Sequence, residues 1–288
     1  MKDHLVIATS SNDTVRIYTA LTTATVERAR EIHDTWPTAT AALGRVLTGT
    51  LITGVMSNNP YRLTVKFSGE GHLGTILAVS NRRGVVKGYV DNSHVDLGLN
   101  EWGKLDVGTA VGPGTLTIVK DYGLKSPYHG VVPLQSGEVA TDFAYYFAKS
   151  EQTPLAVALG VLVSPNGQVK AAGGLIIQLM PGASEEMIRS IEEKVNQLPP
   201  ITTIISSGVT PTGLVSEIIG KTETKILEEI DLQYWCDCSR ERFLGPLLSI
   251  GSPDLEEILK EQGQVEVRCH FCNRYYQYKS SELKIDKA

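Results

Sequence analysis

The chain has 288 residues and a net charge of −5, with 27 lysines and arginines against 32 aspartates and glutamates. This length is about twice that of a typical single domain, so we expect more than one folded unit. The hydrophobic share of 42% and the charged share of 20% exclude general disorder, and the slight acidity disfavours a nucleic-acid or membrane-surface binder.

The apolar run near the N-terminus extends only from Leu5 to Ala8, so we expect no secretion signal there. The longest apolar stretch, residues 39–56, carries Arg45 among its threonines and glycines. We predict that this stretch forms a buried core helix rather than a membrane span, with Arg45 paired to a carboxylate. These features together predict a cytoplasmic protein that makes no membrane contact.

Residues 1–180 mix strand and helix patterns. Apolar and polar residues alternate around Val65, which predicts a half-buried strand over 61–67. Ser164 to Gly167 predict a hairpin turn between two apolar runs. Further strands are predicted at 14–18, 75–79, 85–90, 116–119, 155–163 and 169–180, and helices at 22–35, 39–56 and 138–150. Because the strands occur in groups and do not alternate with helices, the pattern predicts an α+β fold.

Two glycine-containing motifs resemble nucleotide-binding sequences but lack the required context. Residues 69–74 match G-x-G-x-x-G, yet a strand pattern follows where a helix is needed, so we predict a glycine-rich hairpin. Residues 220–222, GKT, resemble the end of a P-loop, but Val215 stands where its first glycine belongs. The sequence also lacks G-x-S-x-G and H-E-x-x-H motifs, and we predict that the chain is not an enzyme.

The composition changes at Met180, where short amphipathic helices begin. Ser184 is the predicted cap of a helix that extends to Leu198, and a second helix runs from Thr210 toward Ile219. One face of the first helix carries an apolar stripe formed by Ile188, Ile191, Val195 and Leu198. We therefore predict that residues 181–231 are a helical segment docked on another surface, either as a tail of the first domain or as a mobile linker.

The four cysteines all lie near the C-terminus, at Cys236, Cys238, Cys269 and Cys272. Their C-x-C…C-x-x-C spacing lets one turn supply two thiolates from each pair, which suits tetrahedral zinc. We predict one zinc ion per chain on these four residues, with two predicted short helices between the pairs. Buried free cysteines are the alternative to a zinc site, and His270 is the alternative to one of the four thiols.

Thiolates that bind zinc are also targets for oxidants, and oxidation to disulfides removes the ligands. A structural zinc site contributes on the order of 10–16 kcal/mol to folding, whereas a whole domain is stable by only about 5–15 kcal/mol. Loss of the ligands should therefore unfold residues 232–288 and loosen the segment 181–231. The apolar stripe of that segment would then be free to hold unfolded proteins.

Three further sequence blocks carry a resemblance to a known family. They are TWPTATAALGR at 35–45, KDYGL at 120–124 and AGGLIIQLMPG at 172–182. Together with the cysteine pattern, they make the whole chain similar to the bacterial heat-shock protein 33 family of redox-regulated chaperones. The resemblance implies an α+β core domain at 1–180, a metastable helical linker at 181–231 and a zinc-binding redox switch at 232–288.

The resemblance also implies an ATP-independent holdase whose activity is low while the reduced cysteines hold zinc. Peroxide with heat stress, or hypochlorous acid, is expected to form the disulfides Cys236–Cys238 and Cys269–Cys272. Zinc then leaves, the linker unfolds, and an active homodimer binds unfolding client proteins. From the residues themselves, Asp237 should oppose ionisation of the thiols that flank it.

Two other functions compete with the chaperone. A zinc-ribbon nucleic-acid binder would use the aromatic residues near the cysteines for base stacking. Residues 231–288, however, hold ten acidic against eight basic side chains, which disfavours phosphate binding, and we expect no nucleic-acid partner. A thiol oxidoreductase that uses Cys269 and Cys272 would need catalytic turnover of a disulfide substrate.

Overall fold

The computed structural model describes residues 2–56, 62–153, 155–220, 224–250 and 252–283. Its contacts divide the chain into two compact units, Met1–Tyr234 and Trp235–Ala288. The strands of the first unit are β1 (His4–Ser10), β2 (Val15–Leu21), β3 (Arg62–Gly69), β4 (Thr75–Ser80), β5 (Val85–Val90), β6 (Gly114–Asp121), β7 (Tyr128–Pro133), β8 (Leu155–Val163), β9 (Val169–Leu179), β10 (Thr224–Asp231) and β11 (Gln233–Tyr234).

The helices of the first unit are α1 (Thr23–His33), α2 (Pro37–Met56), α3 (Val107–Val111), α4 (Val139–Ser150), α5 (Glu185–Gln197), α6 (Ile201–Ser206) and α7 (Pro211–Ile219). The second unit contains α8 (Arg240–Leu248), α9 (Ser252–Gln262), β12 (Val265–Arg268) and β13 (Tyr275–Tyr278).

The first unit is built on two sheets. One has the strand order β10-β1-β2-β9-β8 and the other β11-β5-β4-β3-β6-β7. Neighbouring strands pair antiparallel in both sheets, except that β11 runs parallel to β5. Helices cover sheets instead of alternating with strands, which confirms the predicted α+β fold.

Helix α2 is the buried centre of the first unit and packs against strands of both sheets. By length and hydropathy it could cross a membrane, but 94% of its most apolar window is buried inside the protein. The hydroxyls of Thr48 and Thr50 bond to carbonyls one turn earlier, so these polar residues are satisfied inside the core. The predicted carboxylate partner of Arg45 is Glu138, with Nη1 at 2.6 Å from Oε2.

Of the two glycine motifs, the first lies in a turn between paired strands, and the second lies largely outside the described residues. Strand β3 ends at Gly69 and β4 begins at Thr75, and the two pair antiparallel. The G-x-G-x-x-G motif is therefore a hairpin, as predicted. The turn from Ser164 to Gly167 joins β8 to β9, also as predicted. Lys221 and Thr222 of the P-loop-like sequence lie outside the described residues.

Helices α5, α6 and α7 cover one face of the β10-β1-β2-β9-β8 sheet. Their buried side chains form one apolar cluster with sheet residues such as Val6, Ile17 and Ile177. Ser184 and Thr210 cap α5 and α7 as predicted, each accepting a bond from a backbone N–H three residues on. In the part of the chain that the structure describes, these helices therefore dock on the sheet and share its apolar cluster, without a core of their own.

The description of residues 181–231 as a helical segment is wrong for its last part, where Thr224–Asp231 form β10. This strand pairs antiparallel with β1 along its whole length, from Thr224 opposite Ser10 to Asp231 opposite His4. A β-bulge shifts the register between Ile7 and Ala8. The bulge interrupts the alternation of side chains, which explains why the sequence shows no period of two here.

The carboxylate of Glu27 ties α1 to the start of β9. It accepts two bonds from Arg30, at 2.9 and 2.7 Å, and one from the backbone N–H of Val169 at 2.8 Å. The Arg30 guanidinium outweighs burial and holds the pKa of Glu27 below its usual 4.5. Since the unfolded chain binds the proton first as pH falls, this stabilisation is full above about pH 4.5 and is lost below it.

We therefore expect Glu27→Gln to lower the free energy of unfolding by about 2 kcal/mol at neutral pH. Denaturant titrations over a pH series should show the difference in unfolding free energy between variant and wild type shrinking as pH falls below 4.5. Glu31→Gln is the control, because its pair with Arg28 is exposed and should contribute under about 0.5 kcal/mol. A Glu27→Gln deficit that does not change with pH would contradict this account.

Candidate metal centre

The second cysteine pair lies in the turn that joins β12 to β13. The N–H of Cys269 donates to the carbonyl of Arg274 at 2.9 Å, and the N–H of Asn273 donates to the carbonyl of Cys269 at 2.8 Å. Asn273 adopts a φ of +57°, a left-handed conformation that asparagine tolerates better than most residues. These bonds close a tight turn around Cys269 and Cys272.

The first cysteine pair precedes α8 and is held by two tyrosines of β13. Ser239 caps α8 directly after Cys238, through a bond from the N–H of Arg242. The hydroxyl of Tyr276 donates to the carbonyl of Cys238 at 3.2 Å, and that of Tyr278 donates to the carbonyl of Arg240 at 2.7 Å. The hairpin that carries one pair therefore also positions the other.

The structure brings the four predicted cysteine ligands together. Their sulfurs all lie within 4.8 Å of one another, and all four cysteines are free of disulfides. The Sγ atoms of Cys236 and Cys269 are 3.7 Å apart, and those of Cys238 and Cys272 are 3.2 Å apart. The sulfurs of a tetrahedral site with bonds of about 2.3 Å lie about 3.8 Å apart, so this arrangement has the size that such a site needs.

The crowding of the thiols affects their acidity. Burial raises the pKa of Cys236 above its usual range. Burial and the neighbouring thiols together outweigh a backbone bond from Arg274 and raise the pKa of Cys272 to about 11. Burial also acts upward on Cys238, but hydrogen bonds from Tyr276 and the other thiols outweigh it and lower the pKa of that thiol. Thiolates this close repel one another, so their joint ionisation needs a cation among them.

Sequence reasoning missed the roles of Tyr276 and Tyr278. The Tyr276 hydroxyl lies 3.1 Å from the sulfur of Cys238, and the Tyr278 side chain is buried in the core of the second unit. Neither ring is therefore an open platform for base stacking. The signal was present in the sequence YYQY at 275–278, where the strand period of two puts residues 276 and 278 on one face.

The positive charge of Arg242 balances the negative charge that Asp237 places between the first two thiols. Its guanidinium pairs with the Asp237 carboxylate and also donates to the Asp237 carbonyl at 2.9 Å. The expected opposition of Asp237 to thiol ionisation is thus offset by a cation that sequence reasoning did not assign. His270 is exposed and is not part of the cysteine cluster among the described residues.

The predicted apolar stripe of α5 faces the sheet. Ile191 is 5% exposed and belongs to the cluster formed with Leu175 and Ile177 of β9, while Val195 and Leu198 are half-buried against the same cluster. The fourth member, Ile188, lines a groove beside it. The ammonium group of Lys194 donates to the carbonyl of Ile218 at 2.9 Å, which links α5 to the end of α7.

Comparisons with known proteins extend over almost the whole chain. A family model described as Hsp33 protein matches residues 3–279, a range that includes all four cysteines. The 33 kDa chaperonin of Geobacillus kaustophilus (strain HTA426) is 48% identical over 285 residues, covering 99% of this chain and 97% of the relative. The 33 kDa chaperonin of Staphylococcus aureus (strain Newman) is 44% identical over 284 residues, covering 98% and 97%.

A solved structure is similar over the same extent. It is the crystal structure of the 33 kDa chaperonin, or heat shock protein 33 homolog, from Thermotoga maritima. The TM-score is 0.92 at 37% sequence identity, with 99% of this chain and 97% of the other covered.

Proposed function

The chain belongs to the Hsp33 protein family, and from that premise we propose that it is a redox-regulated, ATP-independent chaperone. Its task is to bind unfolding proteins and prevent their aggregation under oxidative and heat stress. The observation that carries the regulatory part is the group of four free cysteine sulfurs within 4.8 Å of one another. The relatives are named chaperonins and not enzymes, which supports a binding function without catalysis.

In the reduced state, Cys236, Cys238, Cys269 and Cys272 would hold one zinc ion per chain. Four sulfur donors of tetrahedral size suit zinc better than magnesium or calcium, which prefer oxygen ligands. When bound, zinc would supply folding free energy on the order of 10–16 kcal/mol. The protein's own part is to bring two turns together and to orient Cys238 through Tyr276.

Oxidation is the proposed signal, with hydrogen peroxide as the oxidant. Cys236 with Cys238, and Cys269 with Cys272, each give up two electrons to one peroxide molecule, which takes up two protons from solvent and leaves as two waters. One S–S bond forms in each pair. Disulfide sulfurs are no longer anionic ligands, so the second unit loses the interaction that holds its two turns together.

Apart from the proposed metal site, the second unit has few stabilising contacts. Its cluster of buried side chains is small and includes Leu247, Leu255, Val265 and Tyr278. Cys236 follows the last residue of the first unit, Tyr234, by two positions, and β10 ends just before. Strands β10 and β11 tie this end of the linker 181–231 to β1 and β5. Unfolding beyond residue 235 is proposed to loosen these two strands from their C-terminal end, so that α5 to α7 can undock and expose their apolar faces to clients.

The active form is proposed to be a homodimer in the cytoplasm that binds neither nucleic acid nor membranes. The division into a core at 1–180, a linker at 181–231 and a switch at 232–288 belongs to the same proposal. Undocking of α5 would uncover Ile177 and Leu179 of the sheet as well as its own stripe. Newly exposed apolar surface of this kind favours both self-association and client binding.

The chaperone proposal is tested with the reduced protein and the same protein oxidised by peroxide at elevated temperature. Aggregation of a heat-unfolded enzyme is followed by light scattering, without ATP. We expect the oxidised protein to suppress aggregation and the reduced protein to leave it unchanged. Equal protection by both forms would refute redox regulation, and no protection by either would refute the chaperone. Peptide mapping then identifies the disulfide pairs.

The hydroxyl of Tyr276 provides a second test, directed at the metal site. Tyr276→Phe removes its contacts to the sulfur and the carbonyl of Cys238. Loss of an outer-shell partner of this kind should weaken zinc affinity by about 10–100-fold, as measured by competition with a chromophoric chelator. Tyr275→Phe is the matched control on the same strand, because Tyr275 is exposed. Equal affinities in the two variants would contradict the assigned role of Tyr276.

A further inference from the structure

Strand β8 is an outer strand of its sheet and lacks the usual protection of such an edge. Among the strands of the described chain, only β9 pairs with it, on one side. Its nine residues, LAVALGVLV, include no charged residue and no proline. The opposite edge strand, β10, carries Lys225, Glu228, Glu229 and Asp231. Because exposed edges pair readily with other chains unless charge, proline or short length prevents it, β8 is the edge of this sheet that is open to pairing.

The open side of β8 has unused backbone groups. Among the residues that the structure describes, the only backbone partner of Leu155–Val163 is β9, and no side chain bonds to the backbone of β8. A strand of this length has a row of N–H and C=O groups on each side. Helix α4 also packs against β8, with Ala140 lining the groove beside it, but the outward row makes no backbone bond among the described residues.

A groove of about 610 Å³ runs along the same strand. Residues 158–163 of β8 form one wall, the loop around Leu99 and Leu105 a second, and residues 198–204 a third. Leu99 is 67% exposed and Leu162 is 43% exposed, although both are large apolar side chains. The site thus combines unpaired backbone with apolar surface, the two features of binding by strand addition.

We propose that the β8 edge, together with the groove walls formed by β8 and by the loop around Leu99, binds an extended apolar segment of an unfolding protein, which adds to the sheet as a sixth strand. The inference rests on the chaperone function and names its client site. An unfolded polypeptide offers both unpaired backbone groups and apolar side chains, whereas a small ligand would leave the row of backbone groups unused. Main-chain bonds do not depend on side-chain identity, so this mode suits clients of unrelated sequence.

The linker controls how much of this site is available. Gly160 of β8 lies against α6, where an added Cβ would be 2.5 Å from Cγ2 of Ile201 and 2.8 Å from Cγ2 of Thr202. Leu198 and Pro199 form part of the groove wall. Undocking of α5 and α6 therefore uncovers the face of β8 next to its open edge, and the side chains of an added strand gain apolar surface to cover.

The first test places a charge on the edge. Leu162→Lys should preserve the fold, since the side chain is exposed, but a lysine at this position opposes strand addition. Oxidised Leu162→Lys protein should lose zinc as the wild type does, yet need at least about tenfold more protein for equal client protection. Val131→Lys is the control, on β7 at the edge of the other sheet, and should protect as well as the wild type.

The second test separates strand addition from simple apolar contact. The oxidised protein is titrated against a fluorescent apolar peptide of about nine residues, and against the same peptide with every second amide N-methylated. Methylation removes backbone donors but keeps the apolar side chains. We expect at least about tenfold weaker binding of the methylated peptide, in fluorescence anisotropy, and weak binding of both peptides to Leu162→Lys.

Three results would overturn the proposal while leaving the chaperone function intact. One is full client protection by Leu162→Lys, and another is equal binding of the two peptides. The third is that Leu162→Lys turns the oxidised protein into a monomer without changing peptide binding, which would assign the edge to a second copy of this chain. Failure of the oxidised wild type to protect any client would instead refute the chaperone function itself.

Discussion

Replacing Cys269 with serine is expected to unfold the second unit and to release the linker 181–231, while the core at 1–180 stays folded. Cys269 is 3% exposed, and both its N–H and its carbonyl bond within the turn. The lost metal contribution, on the order of 10 kcal/mol, is as large as the whole stability of a typical domain. The variant should purify without stoichiometric zinc, and its amides beyond residue 235 should exchange with solvent without protection.

Ile250→Ser is the control for that experiment, because Ile250 is an exposed residue of the same unit. It should keep about one zinc per chain and wild-type amide protection. Reduced Cys269→Ser protein should also protect clients without any oxidant, since its second unit is already unfolded. A Cys269→Ser protein that holds one zinc and keeps a folded second unit would contradict the assigned role of the four cysteines.

Replacing Ile191 with aspartate is expected to activate the chaperone without oxidation. The change places a carboxylate in the apolar cluster beside Ile177 of the sheet, at a cost of several kcal/mol unless the helix moves away. A thirteen-residue helix held by one apolar stripe has no comparable stabilisation of its own. The helix α5 should therefore undock while the zinc content stays that of the wild type.

The measurement is made under reducing conditions, with limited proteolysis of the linker and client protection followed in parallel. Reduced Ile191→Asp protein should be cleaved within residues 181–231 and should approach the protection given by oxidised wild type. Glu193→Asp puts an aspartate on the exposed side of the same helix and should change neither result. Protease resistance together with unchanged low activity in Ile191→Asp would count against docking of α5 as the control element.

The features that could be predicted from the sequence are those with a local pattern. The helix α2 follows from a continuous apolar stretch, and the β8–β9 hairpin follows from a turn sequence between two apolar runs. The pairing of Arg45 with a carboxylate followed from the cost of burying an isolated cation. The cysteine cluster followed from ligand spacing, which depends only on short stretches of chain.

The features that were missed depend on contacts between distant parts of the chain. Strand β10 pairs with β1 across more than two hundred residues, and the bulge at Ile7 hides its alternation. Tyr276 gains its role only when β13 approaches Cys238, 38 residues earlier in the chain. Arg242 is an exception, because it lies five residues from Asp237 and its pairing depends on how α8 begins. The open edge of β8 depends on strand order, which neighbouring residues do not encode.

The most direct test of the switch follows zinc and chaperone activity in one sample. Reduced, zinc-loaded protein is treated with hydrogen peroxide at heat-shock temperature, while a chelator reports free zinc and light scattering reports client aggregation. We predict that about one zinc per chain leaves as protection appears, and that thiol reductant with added zinc prevents both changes. Zinc that stays bound while protection appears, or leaves with no gain in protection, would contradict the switch.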